Sequence, residues 1–252
     1  MIIMGTDFDD TLYFHDGRGL RDKDAKAIEQ FQQDGNLFGL CTGRSPGMMA
    51  AIDEKTQGKV RFDFTVFSNG ACIVFHDQIL FEAGLEPAFI EEMISTCPDA
   101  PIIIHHSSGL YTTKPMKLEA ESRVLKDFSQ LHEGVCYGLS LDFENAAARE
   151  CIEKYKDTDQ AVCAFNSRFC DFIPVDASKG KGLLIMADRM NIPYENTAAI
   201  GDSYNDLPML QDAAHSFTFQ SSPAEVRNCA DELVDGVWEA ISILKPGPGK
   251  KA

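Results

Sequence analysis

The first twelve residues constrain the fold more than any other stretch of the chain. A short run of mostly apolar residues, 1–5, is followed closely by Asp7, Asp9 and Asp10. An apolar run that ends abruptly in acidic residues predicts a buried strand leading into a loop. In an open α/β sheet, ligands bind in the loops at the carboxyl ends of the central strands. Crowded carboxylates repel one another unless a cation binds them, so the acidic loop is either a divalent-cation site or a solvated turn.

An alternation of helices and strands follows this first strand. Residues 22–35 have the apolar spacing of a helix and end in glycine, and a short apolar strand covers 36–41. A second helix ends near Gly58, and residues 62–67 form a third strand. The β-α-β-α-β order predicts an α/β fold with a Rossmann-like, doubly wound parallel sheet.

The pattern changes in the middle of the chain and then resumes. Paired strands and scattered helices predict an inserted α+β domain. Its predicted elements are a hairpin at 71–82, helices at 86–97, 116–131 and 145–155, strands at 101–106, 110–113 and 135–143, and a second hairpin at 161–175 that turns at Ser167-Arg168. The predicted domains are therefore a core, 1–79 and 178–252, and an inserted cap, 80–177. The tail 245–251 carries helix breakers, and we expect it to be frayed.

Composition excludes several classes of protein. The formal net charge of −16 argues against nucleic-acid and anionic-membrane binding, which favour a basic face. The start of the chain lacks the features of a secretory signal, and no apolar run is long enough to cross a membrane. The eight cysteines are scattered without ligand spacing, so we expect reduced thiols in a cytoplasmic protein and neither a disulfide framework nor a zinc site.

Three predicted parallel strands end in polar clusters, which a doubly wound sheet brings to one edge. The clusters are Asp7-x-Asp9, Thr42-Gly43-Arg44 and the segment 201–206, which contains Asp202, Asn205 and Asp206. Lys179 begins the helix before the last of these strands and faces the same edge. Carboxylates suit Mg²⁺, whereas a lysine and backbone amides suit phosphate oxygens. This set of groups is suited to phosphoryl transfer, in which an aspartate attacks phosphorus.

The segments DFDDTL, TGR, SKG and GDSYND, in this order, resemble the four motifs of the haloacid dehalogenase superfamily of phosphatases. The insertion lies between the second and third motifs, which is similar to the Cof-like phosphatases with a type-IIB cap. The segment SNGA at 68–71 adds to this resemblance.

The resemblance implies roles for the catalytic and metal-binding residues. Asp7 would be the nucleophile that forms an aspartyl-phosphate, and Asp9 would protonate the leaving oxygen and later take a proton from water. Mg²⁺ would be held by Asp7, the backbone carbonyl of Asp9 and Asp202, with support from Asp206.

The resemblance also implies a phosphate-binding set. Thr42, the Gly43 amide and Lys179 would bind phosphoryl oxygens. Asn205 would support the metal and its waters, and Asn69 would lie near the substrate or phosphate. The role of Arg44 is less uniform in the family. Lys181 is a second candidate for the motif lysine, and Lys179 is favoured because SKG matches the motif.

Asp10 departs from the family pattern, which commonly has glycine at this position. An added carboxylate beside the metal is expected to raise a neighbouring pKa through repulsion of like charges.

The cap offers polar candidates for substrate specificity. These are His105, His106, Tyr111, Lys114 and Arg168, and the adjacent histidines are expected to point to opposite faces of a strand.

The resemblance implies a Mg²⁺-dependent phosphatase that acts on small phosphorylated metabolites, either a sugar phosphate or a cofactor phosphate. The alternatives are a phosphomutase or a dedicated sugar-phosphate phosphatase of the same cap class, or a non-catalytic protein that binds phosphorylated metabolites.

Overall fold

The computed structural model describes residues 1–166 and 168–244. The predicted turn residue Ser167 and the tail 245–251 lie outside the described residues. The strands, in chain order, are β1 (Ile3–Thr6), β2 (Tyr13–Phe14), β3 (Gly19–Leu20), β4 (Leu37–Cys41), β5 (Phe64–Phe67), β6 (Cys72–Phe75), β7 (Gln78–Glu82), β8 (Ile102–His106), β9 (Gly109–Thr112), β10 (Ser122–Val124), β11 (Cys136–Asp142), β12 (Val162–Phe165), β13 (Phe169–Ile173), β14 (Thr197–Ile200), β15 (His215–Thr218) and β16 (Glu232–Leu233). The α-helices are α1 (Asp22–Gln33), α2 (Met49–Thr56), α3 (Pro87–Thr96), α4 (Ala146–Tyr155), α5 (Lys179–Arg189), α6 (Leu207–Asp212), α7 (Ala224–Cys229) and α8 (Val237–Leu244).

The larger sheet has the predicted doubly wound form. Within the described residues its strands lie in the order β16-β15-β14-β1-β4-β5-β6-β7. The pairs from β16 to β5 are parallel, whereas β6 and β7 add an antiparallel edge. Because β1 lies between β14 and β4, the acidic loop after β1 is at the centre of the sheet edge. The Rossmann-like α/β fold is therefore confirmed.

Helices cover both faces of this sheet. The side chains of β1 alternate, so that Met4 packs with α1, α2 and α8 on one face, and Ile3 packs with α5, α6 and α7 on the other. Helix α1 buries Ala25, Ile28 and Phe31, whose spacing places them on one side of the helix. In the described part of the chain, no helix combines the length and apolar character that crossing a membrane requires.

The smaller sheet belongs to the inserted segment. Within the described residues its strands lie in the order β10-β9-β8-β11-β13-β12, and only the β9–β10 pair among them is parallel. One face packs against α3 and α4 through a shared apolar cluster that includes Phe89, Ile152, Ile104 and Phe172. The other face is turned toward the carboxyl-end edge of the larger sheet.

The predicted division into core 1–79 and 178–252 and cap 80–177 stays a prediction. Strand β7 crosses its first boundary, because Glu82 pairs with Cys72 of β6 in the larger sheet. The chain then enters the smaller sheet through α3 and leaves it after Ile173.

The predicted helix at 116–131 is wrong. This segment contains β10, which pairs with β9, and a short 3-10 helix over Phe128–Leu131. Asp127 caps that short helix by accepting a hydrogen bond from the backbone N–H of Ser129, 2.8 Å away. Pairing at the sheet edge and local capping thus override the helical preference of the segment.

The expectation that all cysteines are reduced is also wrong for one pair. Cys163 and Cys170 form a disulfide between β12 and β13. The antiparallel register places Cys163 opposite Phe172 and Phe165 opposite Cys170, so both sulfurs lie on one face of the hairpin. That register is a property of the folded hairpin, which cysteine spacing alone does not reveal.

Candidate active site

The loops that follow β1, β4 and β14 meet at one edge of the larger sheet, which we call the rim. Asp7, Thr42 and Asp202 lie there and line one cavity of about 520 Å³. Lys179 joins them because Ser178 caps α5, accepting a hydrogen bond from the Lys181 N–H at 3.0 Å. The rim is therefore built from the strand ends that the motif order indicated.

Lys179 connects two of the predicted acidic residues. Its Nζ donates to Asp7 Oδ1 and to Asp206 Oδ1, each at 2.6 Å, and the side chain is fully buried. Burial lowers the pKa of Lys179, but attraction to Asp206 and Asp7 outweighs it and raises that pKa above its usual value. A buried lysine held as a cation at the rim is suited to binding anionic oxygens.

The acidic residues of the rim have the chemistry of a hard-cation site. Asp7, Asp202 and Asp206 each bring one carboxylate oxygen within 4.8 Å of the others. Burial raises the pKa of Asp7 well above its usual value, and repulsion from Asp206 and Asp202 adds to it. Oxygen donors with such crowded charge fit Mg²⁺, which would offset their repulsion.

The hydrogen bonds distinguish the three carboxylates. Oδ2 of Asp206 accepts the backbone N–H groups of Asp202 and Ser203 at 2.9 and 3.0 Å, and its Oδ1 accepts from Lys179. Asp202 Oδ1 accepts from the Thr11 hydroxyl at 2.7 Å. Asp206 thus shapes the loop and orients Lys179, whereas Asp7 and Asp202 each have an oxygen without these bonds.

Asp10 has the effect expected of it. Burial, then repulsion from Asp206, raises the pKa of Asp202 to about 7, and the charge of Asp10 contributes in the same direction. The backbone of Asp10 has φ of 60°, in the left-handed region that favours glycine and that aspartate tolerates better than most residues. This conformation explains why glycine suits the position.

Asp9 is held apart from the three carboxylates. Arg44 donates to both its oxygens, from Nε to Oδ2 at 2.8 Å and from Nη2 to Oδ1 at 2.7 Å. Nε2 of His15 lies 2.7 Å from Asp9 Oδ1. Burial raises the pKa of Asp9, but the hydrogen bonds from Arg44 and His15 hold that pKa below its usual value.

The Thr42-Gly43-Arg44 loop packs closely against the SNGA turn. The Asn69 N–H donates to the carbonyl of Thr42 at 3.0 Å, and Nδ2 of Asn205 donates to Asn69 Oδ1 at 3.2 Å. A Cβ on Gly43 would lie 3.3 Å from Asn69 Nδ2, which leaves little room for a side chain. The predicted phosphate-binding residues are thus brought together.

Several residues at the site were missed from the sequence. Glu119 of the cap accepts from Arg44 Nη1 at 2.8 Å and from Lys55 Nζ at 2.9 Å. Asp171 accepts from Asn69 Nδ2 at 3.0 Å. A histidine in the short loop after the acids was a usable signal for His15, but neither Glu119 nor Asp171 lies in a motif.

The polar cap candidates separate into two groups. His105 and Arg168 line the cavity, although Arg168 is paired with Asp142 at 2.6 Å. His106 forms a hydrogen bond with Ser108 at 2.7 Å and packs edge-on against Tyr111, which belongs to the apolar cluster on the helix-covered face. The two histidines therefore point to opposite faces. Lys114 is exposed and is not among the described residues that line the cavity.

A second cavity of about 590 Å³ adjoins the first, and Asn166 and Asn205 line both. Its lining is largely apolar and includes Val162, Phe165 and Tyr204. The rim is therefore next to two spaces of different chemistry.

Known proteins share this organisation. A family model for haloacid dehalogenase-like hydrolases matches residues 4–241. The putative phosphatase YkrA of Bacillus subtilis is 21% identical over 252 residues, covering 94% of this chain and 95% of that protein. The kanosamine-6-phosphate phosphatase of the same organism is 23% identical, covering 94% of this chain and 88% of its own length.

Solved structures show the same fold. The HAD subclass IIB sugar phosphatase BT4131 has a TM-score of 0.83 at 18% identity, covering 96% of this chain and 98% of that one. A haloacid dehalogenase-like hydrolase from B. subtilis has a TM-score of 0.84 at 18% identity, covering 96% and 99%. With the match of the family model over nearly its whole length, the chain belongs to the haloacid dehalogenase-like hydrolases and is an enzyme of the phosphatase type that its motifs indicate.

Proposed function

We propose that this enzyme is a Mg²⁺-dependent phosphatase that hydrolyses small phosphorylated metabolites through an aspartyl-phosphate on Asp7. The observation that carries the proposal is the position of Asp7, which contacts the buried cation of Lys179 and lies beside Asp202 at the rim of the cavity. The inserted segment covers that cavity with its sheet. A nucleophile, a fixed cation and a carboxylate cluster are the parts that phosphoryl transfer requires.

In the first step, a carboxylate oxygen of Asp7 attacks phosphorus and the bond to the leaving oxygen breaks. Lys179, Thr42 and the Gly43 amide would bind the phosphoryl oxygens. Asp9 gives its proton to the leaving oxygen, which departs as an alcohol. In the second step, Asp9 takes a proton from water, whose oxygen attacks phosphorus, and Asp7 is regenerated as phosphate leaves.

The contacts of Asp9 suit both halves of this cycle. Arg44 and His15 favour the ionised form, which is the form that takes a proton from water. A bound phosphoryl group offers Arg44 a second anionic partner. Weaker hydrogen bonds from Arg44 would raise the pKa of Asp9 toward the protonated form that the first step needs.

Mg²⁺, when bound, would supply positive charge that offsets the repulsion between the phosphoryl group and Asp7. Asp7, the backbone carbonyl of Asp9 and Asp202 would hold it, and Asp206 would support the site through the loop that it orients. The crowded oxygen donors on this rim support that assignment.

The relatives support a sugar-phosphate type of substrate. One named relative is a kanosamine-6-phosphate phosphatase, and one structural neighbour is described as a sugar phosphatase. The cavity of about 520 Å³ is large enough for a small metabolite.

Phosphate release from a panel of sugar phosphates, cofactor phosphates and p-nitrophenyl phosphate tests the proposal, with Mg²⁺ and with EDTA. We expect release that needs Mg²⁺ and is absent in Asp7→Asn. A bisphosphorylated intermediate without net release would indicate a phosphomutase, and Mg²⁺ binding without any turnover would indicate a binding protein.

A further inference from the structure

The rim-facing side of the cap sheet carries a connected set of buried polar side chains. His105 on β8, Ser140 on β11 and Asp171 on β13 belong to it, and we call them the cap relay. Ser140 lies directly opposite Asp171 in the antiparallel register. Since Ile102 and Ile104 pack on the helix-covered face, the alternate position His105 faces the rim.

The hydrogen bonds of the cap relay have one direction. The hydroxyl of Ser140 donates to Asp171 Oδ1 at 2.5 Å, so its oxygen accepts from Nε2–H of His105, 2.7 Å away. Burial lowers the pKa of His105 to about 4, so the ring is neutral near pH 7, and the hydrogen bond to Ser140 assigns its proton to Nε2. Asp171 is therefore the acceptor at the end of the relay, and His105 and Ser140 orient it.

Asp171 reaches the SNGA turn and the Thr42-Gly43-Arg44 loop of the core. Its Oδ2 accepts from Asn69 Nδ2 at 3.0 Å and lies 3.4 Å from the place where a Cβ on Gly43 would be. An ionised carboxylate has about four acceptor positions, and the hydrogen bonds from Ser140, Asn69 and Asn166 use only some of them. The rest of this acceptor capacity is beside the position proposed for the phosphoryl group.

We propose that Asp171 is a specificity-determining residue, which accepts hydrogen bonds from hydroxyl groups near the phosphoester and repels a second anionic group. The inference rests on the proposed phosphatase function and adds the residue that selects the leaving group. The substrates it favours are monophosphates of neutral, polyhydroxylated alcohols.

Two of the cations that line the same cavity are already paired with acidic residues. Arg168 pairs with Asp142, and Arg44 pairs with Asp9 and Glu119, whereas Lys117 is exposed at the edge of the cavity. A bisphosphorylated compound would therefore bring its second phosphate toward a carboxylate, which disfavours binding.

The neighbouring apolar cavity provides the competing possibility. Val162, Phe165 and Tyr204 would suit an alkyl or aromatic leaving group. The two spaces make opposite predictions, because a site built to bind hydroxyl groups discriminates strongly against analogues without them.

The test compares kcat/KM for glycerol phosphate and sorbitol phosphate with that for n-propyl phosphate and n-hexyl phosphate. For the wild-type enzyme we expect a preference for the hydroxylated esters. In Asp171→Asn the ratio of kcat/KM for the hydroxylated esters to kcat/KM for the alkyl esters should fall by about ten- to a hundredfold. This is the range expected when a hydrogen bond to a charged group is lost. Ser140→Ala should lower the ratio by a smaller factor and keeps the test available if Asp171→Asn does not fold.

Asp159→Asn is the matched control, since it removes the same charge from an exposed position of the cap. A sugar bisphosphate is the second probe, and its kcat/KM relative to the matching monophosphate should rise in Asp171→Asn. Unchanged ratios in both relay variants, or a wild-type preference for the alkyl esters, would overturn the inference and leave the phosphatase function in place. No phosphate release from any ester, p-nitrophenyl phosphate included, would overturn the proposed function itself.

Discussion

Nζ of Lys179 and Oδ1 of Asp7 are 2.6 Å apart in a site where the lysine has no exposed surface. The same Nζ is also 2.6 Å from Oδ1 of Asp206. One buried cation is therefore shared by two carboxylates, and the arrangement depends on all three side chains. This ion triad makes the rim both a functional and a structural element.

Lys179→Met is expected to destabilise the fold and remove activity. It leaves Asp7 and Asp206 buried without their cation, and breaking a buried ion pair in this way costs about 3–5 kcal/mol. The free energy of unfolding in urea measures the effect, and added Mg²⁺ should restore part of it. Lys181→Met is the control because Lys181 is exposed and its ion pair with Asp176 is long, at 3.5 Å. Equal loss in the two variants would show that Lys179 is not the motif lysine.

Asp9→Asn is expected to slow turnover in a way that depends on the leaving group. Loss of general acid–base help lowers the rate by about 10²–10⁴. Alkyl phosphates should show the larger loss, because p-nitrophenolate leaves without needing a proton. The measurement is kcat for both ester classes in the variant and the wild type. A loss of the same size for both would indicate that Asp9 does not protonate the leaving oxygen.

How much of this site was predictable depends on where each residue lies in the chain. Asp7, Thr42 and Asp202 were predictable because each lies within two residues of the end of a strand and the parallel order brings strand ends together. Lys179 was predictable because Ser178 marks the start of α5. These assignments need only local sequence patterns and the general geometry of a doubly wound sheet.

Asp171 and Glu119 were not predictable in the same way. Asp171 meets Asn69, 102 residues away, through the register of the cap hairpin and the placement of the cap over the rim. Glu119 lies in the segment for which the sequence predicted a helix, and in the structure it is in the stretch without helix or strand that precedes β10. Contacts between the two sheets depend on long-range packing, which local patterns do not encode.

Glu119→Gln is expected to weaken the link between cap and core with little effect on stability. Glu119 bridges Arg44 and Lys55, but it is half exposed, and such pairs contribute about 0–1 kcal/mol. We expect a several-fold rise in KM that becomes smaller as the salt concentration increases, since salt screens the pairs. Glu121→Gln, an exposed change in the same segment, should leave KM as it is. A salt-independent effect, or the same KM shift in both variants, would contradict this role.

Asp171 gives the stability of the protein a defined pH dependence. Burial raises its pKa from 3.8 to about 6 in the folded state, with hydrogen bonds from Ser140 and Asn69 acting in the opposite direction. Between pH 3.8 and about 6, this carboxyl is protonated in the folded protein and ionised in the unfolded chain. Its contribution therefore makes the free energy of unfolding fall as pH rises through this range. The contribution is at most about 1.4 kcal/mol for each pH unit.

Asp171→Asn removes this titration. Urea unfolding at several pH values from roughly 4 to 6, compared between the variant and the wild type, measures the difference. As pH rises, the free energy of unfolding of Asp171→Asn should increase relative to that of the wild type. Asp159→Asn should show the same pH profile as the wild type. Parallel pH profiles for Asp171→Asn and the wild type would show that Asp171 has an ordinary pKa.

The most direct measurement of the mechanism is the mass of the enzyme after acid quenching during turnover with Mg²⁺. We predict that a fraction of the wild-type protein carries the mass of one phosphoryl group, and that proteolysis places it on the peptide containing Asp7. Asp7→Asn should carry none and should release no phosphate. A phosphoryl group on another residue, or turnover by Asp7→Asn, would contradict the aspartyl-phosphate mechanism.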